Sequence, residues 1–170
     1  MNKETAEKFI ELYGRKLYLF CLYTTRSKDT ADDLYQQTFL TALEKDEIDN
    51  EMNPQSYLVS IASNLWKNQI RKFAWRKRIA DIQVVGEDVL SIIADRTYSL
   101  EEEVENRLQC KELRRQVLML PDKYRVVILM YFIEDMSIHE IAKSLSIPEG
   151  TVKSRMNQAR KKLKEEMQDE

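Results

Sequence analysis

The side chains best suited to chemistry in this chain are the basic and small polar residues between Ser137 and Leu163. Two short amphipathic segments there flank a tight turn, and the second carries six basic residues and no acidic one between Thr151 and Lys164. Ala142 suits the close approach of two helices, and Val152, ten residues later, suits a buried anchor. This spacing is typical of a helix-turn-helix, whose second helix reads base edges in the DNA major groove.

The boundary signals of these two segments agree with that prediction. Ser137 and Glu140 have the spacing of a capping box at the start of the first helix. Pro148 suits the first turn of the second helix, since no amide hydrogen is needed there. Ser146 stands at the turn, where a glycine usually relieves a left-handed backbone. A helical hairpin in some other all-α protein is the alternative that this segment alone leaves open.

A second basic segment lies between Asn64 and Arg78, where six basic residues and no acidic one are interleaved with Trp66, Phe73 and Trp75. Basic side chains bind phosphates and aromatic rings stack on bases, so the combination suits single-stranded or distorted nucleic acid. The alternative is a solvated helix end whose aromatic rings, Trp66 and Phe73 above all, belong to the core.

The elements that position both segments are predicted to be helices, because the chain has only three glycines and three prolines. Apolar residues at helical spacing predict a helix at Thr5–Tyr23, one at Ala31–Leu43 capped by Thr30, and one at Gln55–Arg78. A further helix ends at Pro121, and the apolar run from Val126 to Ile133 is interpreted as helix rather than buried strand. The predicted fold class is all-α, with two small helical domains joined by an acidic linker.

The linker is predicted from the charge of the segment between the two domains. Residues 81–106 contain eight acidic residues against one arginine, a net of −7 within a chain whose overall net charge is −2. Its apolar residues, which include Val89 and Ile93, show no sustained helical or strand period. A spacer between two basic domains is therefore expected, with short local helix at most.

No enzyme chemistry is expected. The single histidine, His139, and the two distant cysteines, Cys21 and Cys110, offer neither a catalytic triad nor a metal site, and no glycine-rich phosphate loop is present. No cofactor is therefore predicted. The cysteines suit a reducing cytoplasm, the charged start lacks a signal peptide, and the longest apolar run is too short to insert in a membrane.

Three sequence blocks together resemble the extracytoplasmic-function (ECF) sigma factors, the minimal two-domain members of the bacterial housekeeping-type sigma family. They are ADDLYQQTFLTAL at Ala31–Leu43, YLVSIASNLWKNQIRK at Tyr57–Lys72, and the segment from Leu120 to Leu163. The resemblance implies an initiation factor that binds core RNA polymerase and directs it to promoters. It also implies a domain over residues 1–80 that opens the −10 element, a linker at 81–105, and a domain at 106–170 that reads the −35 element.

The resemblance implies roles for individual residues. A loop at about Ile48–Ser56 would pocket a flipped base, with Tyr57 in place of the family's usual tryptophan. The residues implied to bind the −10 element are Ile48, Asn53, Tyr57, Asn64, Lys67, Asn68 and Arg71. Those implied to bind the −35 element are Thr151, Lys153, Ser154, Arg155, Asn157, Gln158, Arg160 and Lys161.

Polymerase docking is implied for Asp33, Gln36 and Gln37, of which Gln37 departs from the family's usual glutamate. The implied partners are core RNA polymerase, duplex and melted promoter DNA, and an anti-sigma factor, which in this family is often membrane-bound. The runner-up is a stand-alone helix-turn-helix regulator that binds duplex DNA without polymerase. A third interpretation is an adaptor whose basic faces bind acidic protein partners.

Overall fold

The computed structural model describes residues 3–45, 53–76, 89, 93 and 104–168. Within these ranges the chain forms helices and no strands. The seven helices described there are α1 (Lys3–Thr25), α2 (Lys28–Glu44), α3 (Pro54–Arg76), α4 (Val104–Met119), α5 (Asp122–Phe132), α6 (Ile138–Leu145) and α7 (Glu149–Gln168). The all-α prediction is confirmed, and the apolar run at Val126–Ile133 is helix α5 and its C-cap.

Helices α1, α2 and α3 form an N-terminal unit. Each helix contributes one apolar stripe to a shared core, in which Leu17, Phe20, Leu34 and Leu58 are at most 1% exposed. Gly14 lets α1 and α2 approach closely, because a Cβ atom there would lie 2.7 Å from the Tyr35 hydroxyl. The unit therefore holds the exposed sides of α2 and α3 in a fixed relation.

Helices α4 to α7 form a C-terminal unit around Leu118, Val127, Ile141 and Val152, all fully buried. Helix α6 packs on α7 through the predicted helix-turn-helix, and α5 packs on the inner side of α7. The unit leaves the outer side of α7 open to solvent.

The two units pack against each other. Helix α3 lies against α6, and α1 lies against α5, so that one hydrophobic cluster includes buried residues of both units. Arg125 of α5 is fully buried and donates to the Thr24 carbonyl at the end of α1, at 3.0 Å. Side-chain hydrogen bonds also join α3 to the C-terminal unit, so the contact between the units is partly polar.

Two local predictions need correction or restriction. The cap predicted at Thr30 was wrong, because Ser27 caps α2 and its side chain accepts from the Thr30 amide, so the helix begins three residues earlier than expected. Of the predicted linker at 81–105, the described positions before α4 are Val89 and Ile93, which are helical and at most 2% exposed in the shared cluster. The remainder before Val104 lies outside the described residues, as do Lys77 and Arg78.

In the described part of the chain, no helix is both long and apolar enough to cross a membrane. The same residues hold no group of three or more His, Cys, Asp or Glu side chains placed to bind a metal ion.

Candidate nucleic-acid interface

Helix α7 has one buried and one exposed side. Val152, Met156 and Ala159 are at most 4% exposed and face the core. Lys153, Ser154, Asn157 and Gln158 are all exposed, and the i, i+3 and i, i+4 spacings among them place them together on the side opposite the core. An α-helix with a free polar side of this kind fits the width of the major groove.

The turn before α7 fixes the direction in which that side points. The Ser137 hydroxyl accepts from the Glu140 amide at 3.1 Å, and the Ser137 amide donates to the Glu140 carboxylate at 2.8 Å, which confirms the predicted capping box. Ser146 ends α6 in the left-handed region, with φ 54°. The Ile147 amide then donates to the Ala142 carbonyl at 3.0 Å and closes the turn.

Three of the basic residues predicted on α7 point in different directions. Lys161 is exposed, with its ammonium group 3.9 Å from Glu165. Arg155 is half-buried and lines a cleft toward α3, whereas the Arg160 guanidinium lies 5.5 Å from the centre of the Phe132 ring on α5. Lys161 is thus the best placed of the three beside the exposed polar side, and Thr151 is half-buried in the first turn.

Helix α3 carries a second exposed polar side. Asn64, Lys67, Asn68 and Arg71 are exposed and follow the spacing i, i+3, i+4, i+7, so they form a single stripe along the helix. The other side holds Leu58, Ile61 and Ala62 in the core. The structure therefore brings together four of the seven residues predicted to bind the −10 element.

The remaining three lie elsewhere. Tyr57 is 7% exposed and packs in the core, away from the stripe on α3. Asn53 caps α3, since its side-chain oxygen accepts from the Ser56 amide at 2.8 Å. Ile48 lies outside the described residues.

The aromatic residues of α3 divide between core and surface. Trp66 is half-buried and packs against the hydrophobic cluster, as expected of a core residue. Phe73, which was also expected in the core, is 45% exposed beside Lys72. The side chain of Trp75 lies outside the described residues. An exposed ring next to basic residues supports stacking on a base.

Helix α2 exposes the three residues predicted to dock on polymerase, Asp33, Gln36 and Gln37. Sequence reasoning missed Leu40, which is 52% exposed and extends the same stripe by one turn. Its position seven residues after Asp33 was the available signal. A single exposed apolar side chain is common on protein surfaces, so Leu40 alone does not identify a contact surface.

Arg125 and Cys21 are two buried titratable groups near the contact between the units. Burial lowers the pKa of Arg125 to about 10, and the neighbouring Asp122 carboxylate opposes that shift. The guanidinium stays charged at neutral pH and donates to Asp122 and to the Leu120 and Thr24 carbonyls. Burial raises the pKa of the Cys21 thiol, so Cys21 is a neutral core residue.

Two family models match the chain. Residues 9–76 match Sigma-70 region 2, and residues 110–163 match Sigma-70, region 4. The first match covers α3 and its polar stripe, and the second covers the helix-turn-helix and the exposed side of α7.

Individual proteins match along nearly the whole chain. The ECF RNA polymerase sigma factor SigW of Bacillus subtilis is 32% identical over 99% of this chain and 91% of its own length. SigM of the same organism is 26% identical over 94% of this chain and 93% of its own length.

Solved structures show the same fold. The sigma factor RpoE from Bartonella quintana, in complex with the anti-sigma factor NepR, superposes with a TM-score of 0.75 over 98% of both chains at 21% identity. CnrH, in complex with the cytosolic domain of CnrY, gives 0.66 over 99% of this chain and 91% of its own, at 19% identity.

The two matched regions stand in the order that the family has, and each contains a helix with an exposed polar side. In addition, one relative is more than 30% identical along nearly the full chain. The chain therefore belongs to the ECF sigma factors, the bacterial initiation factors that direct core RNA polymerase to specific promoters.

Proposed function

We propose that this sigma factor reads the −35 element with the exposed side of α7. Lys153, Ser154, Asn157 and Gln158 face base edges or adjacent phosphates, and Lys161, Arg155 and Arg160 bind backbone phosphates and set the register. Thr151 and the first turn of α7 donate to a phosphate. The strongest support is the division of α7 between a fully packed inner side and an uncovered polar outer side.

The N-terminal unit engages the −10 element through α3. The stripe of Asn64, Lys67, Asn68 and Arg71 binds the non-template strand and its phosphates, and Phe73 offers an exposed ring for stacking. Asn53 and the preceding loop with Ile48 hold the flipped base, and Tyr57 supports that loop from the core. Unstacking the base costs a few kcal/mol, which contacts in the pocket offset.

Docking on core polymerase uses the exposed side of α2. Asp33 supplies the charge, Gln36 and Gln37 supply hydrogen bonds, and Leu40 supplies apolar contact area. An apolar residue beside several polar ones is a composition found in protein–protein interfaces.

The remaining partners follow from the family. Residues 1–80 and 106–170 act as the two promoter-reading domains, and residues 81–105 link them. An anti-sigma factor holds the protein inactive in the cytoplasm, where the polymerase is. The proposal of an anti-sigma partner is supported by the fold, which this chain shares with RpoE and CnrH. RpoE was solved with the anti-sigma factor NepR, and CnrH was solved with the cytosolic domain of CnrY. Sigma factors are not enzymes, and no catalytic residue or cofactor is assigned.

The test is transcription from a genomic promoter library with purified core polymerase. We expect the protein to bind the core and to produce discrete start sites that share two upstream elements. Tight binding to duplex DNA alone, with no start sites in the presence of core, would instead identify a stand-alone regulator. Binding to neither DNA nor polymerase would favour an adaptor.

A further inference from the structure

Side-chain hydrogen bonds cross the junction between the two units at the start of α3. The Gln55 amide donates to the Glu134 carboxyl at 2.5 Å, the Ser56 hydroxyl donates to Glu140 at 3.4 Å, and the Ser60 and Ser144 hydroxyls are hydrogen-bonded to each other. Apolar packing accompanies these contacts, because one hydrophobic cluster includes buried residues of both units. We call this set of contacts the α3–α6 junction.

The closed arrangement places the polar stripe of α3 next to one flank of α7. Lys67 and Arg71 of α3 line the same cleft of about 230 Å³ as Arg155 of α7. Elements centred near −10 and −35 lie roughly 85 Å apart on B-DNA, at about 3.4 Å per base pair. One molecule in the closed form cannot span that distance, so the units must separate before both elements are read.

The chain between the units is long enough for such a separation. Residues 77–103 join the end of α3 to the start of α4. Fully extended, a segment of that length reaches roughly 90 Å. Opening must break the contacts between the units and also the packing of Val89 and Ile93 in the shared cluster.

Glu134 is the exceptional group in the α3–α6 junction. It follows α5, is 3% exposed, and uses one carboxyl oxygen to accept from Gln55. Its other oxygen, Oε1, is buried without a hydrogen-bond partner among the described residues. An ionised carboxylate with an unsatisfied buried oxygen is costly, whereas the neutral acid loses much less on burial.

The charged groups around Glu134 do not neutralise it. Lys16 of α1 lies 3.6 Å from Asp135, the neighbouring residue of the same turn, and Cys21 of α1 is a neutral thiol. Gln55 of α3 is uncharged, and Glu140 of α6 is a second acid, engaged with Ser56 and the Ser137 amide. In the described residues, no lysine or arginine forms an ion pair with Glu134.

We propose that the α3–α6 junction is a proton-dependent latch, in which Glu134 holds the two units together as a neutral acid and releases them when it ionises. Separation exposes the carboxyl to water, where its charged form is well solvated. Burial raises the pKa of Glu134 in the closed form, and the Gln55 hydrogen bond and the Lys16 charge only partly oppose this. The closed form thus binds the proton more tightly than the open form.

The direction of the pH effect follows. Because the pKa of Glu134 is higher in the closed form, this group stabilises the closed form fully at low pH. That stabilisation is lost as the pH rises through the pKa of the closed form. Acidification closes the molecule and a rise in pH opens it. The consequence for promoter reading rests on the proposed function, but the conformational change itself does not.

The test is small-angle X-ray scattering of the full chain, alone, from about pH 4, below the ordinary pKa of a glutamic acid, to about pH 8. We expect a radius of gyration near the roughly 15 Å of a compact chain of this length at the acidic end, rising by several ångströms toward the alkaline end. Glu134→Gln keeps the shape and removes the charge, so this variant should stay compact throughout. A wild-type radius that does not change with pH would overturn the proposal.

The matched control is Glu166→Gln, the same substitution at an exposed position on α7, outside the α3–α6 junction. This variant should expand with pH as the wild type does. Expansion of Glu134→Gln to the wild-type extent, or a pH-independent Glu166→Gln, would also overturn the proposal. Because neither polymerase nor DNA is present, failure here is separate from failure of the promoter assignments.

Discussion

Lys153 and Gln158 both lie on the exposed side of α7. Their side chains are accessible to DNA, while Val152 and Met156 on the inner side carry the packing. The residues that build the fold are thus distinct from the residues proposed to read promoters, and single substitutions can address each set.

We expect Lys153→Ala combined with Gln158→Ala to abolish promoter choice and to leave polymerase binding and stability intact. A good pairing between a side chain and a base edge supplies about 1–3 kcal/mol of discrimination, which a truncation to alanine removes. The measurement is start-site mapping on the promoter library, together with a binding titration against core polymerase.

The control for that variant is Lys111→Ala combined with Gln116→Ala. These two residues have the same types and the same spacing on α4, away from the exposed side of α7. The control should keep the wild-type start sites. Unchanged promoter choice in the α7 variant would contradict the assignment of that surface.

Asp33→Arg should weaken binding to core polymerase while leaving the fold and DNA reading intact, since Asp33 is exposed on α2. Reversal of one charge in a contact centre typically costs several kcal/mol when like charges meet. The measurement is a binding titration with core polymerase, with Glu166→Arg, an exposed reversal on α7, as the control. Full affinity of Asp33→Arg would count against docking through α2.

The elements were predicted more reliably than their positions in space. Amphipathic spacing predicted the helices α1, α2, α3, α4, α6 and α7. Helix α5 was predicted from its helical neighbours instead, and it buries six consecutive residues, 125–130. The start of α2 was wrong because both Ser27 and Thr30 can cap, and the choice depends on how the chain leaves α1 through Arg26, whose φ is 58°. The residues around Ser27 do not by themselves determine the path of the chain from α1 to α2.

The candidate site was predictable where it depends on one helix and unpredictable where two helices meet. The exposed stripes on α2, α3 and α7 follow from spacing alone. The side chain of Arg155 points toward α3, and that of Arg160 lies over the Phe132 ring. Both orientations depend on residues of other helices, as does the burial of Tyr57. Phe73 is exposed because no neighbouring helix in the described part of the chain covers that end of α3 enough to bury it.

The turn between α6 and α7 carries a testable strain. Ser146 adopts φ 54° and ψ 47°, a region that is unfavourable for a residue with a Cβ atom. Ser146→Gly should raise the free energy of unfolding by about 0.5–1 kcal/mol, after the extra freedom of glycine in the unfolded chain is counted.

Urea denaturation of the full chain measures this effect. Ser146→Ala, which keeps the Cβ atom, should give no such increase in stability. A Ser146→Gly protein less stable than the wild type would show that the left-handed turn is not the source of strain.

At the scale of the whole molecule, one chain must present two reading surfaces to DNA elements that are far apart. In the closed structure α3 lies beside one flank of α7, and Ser60 and Ser144 are in direct contact at the α3–α6 junction. On the proposed promoter assignments, reading by α3 and α7 together therefore requires the open form. Separation of the two units is thus the conformational change that the proposed role in initiation requires.

The most direct test replaces the two serines by cysteines, Ser60→Cys with Ser144→Cys. Hydroxyls in hydrogen-bonding contact place the Cβ atoms near the separation of about 3.5–4.5 Å that a disulfide needs. Each single cysteine variant controls for the natural thiols, of which Cys21 is buried and Cys110 half-buried.

Transcription by core polymerase with the oxidised double variant, before and after reduction, is the decisive measurement. We predict no start sites from promoters with both elements while the disulfide holds the units together, and full recovery after reduction. Equal transcription by the oxidised and reduced proteins would contradict the claim that the two units must separate to direct the polymerase.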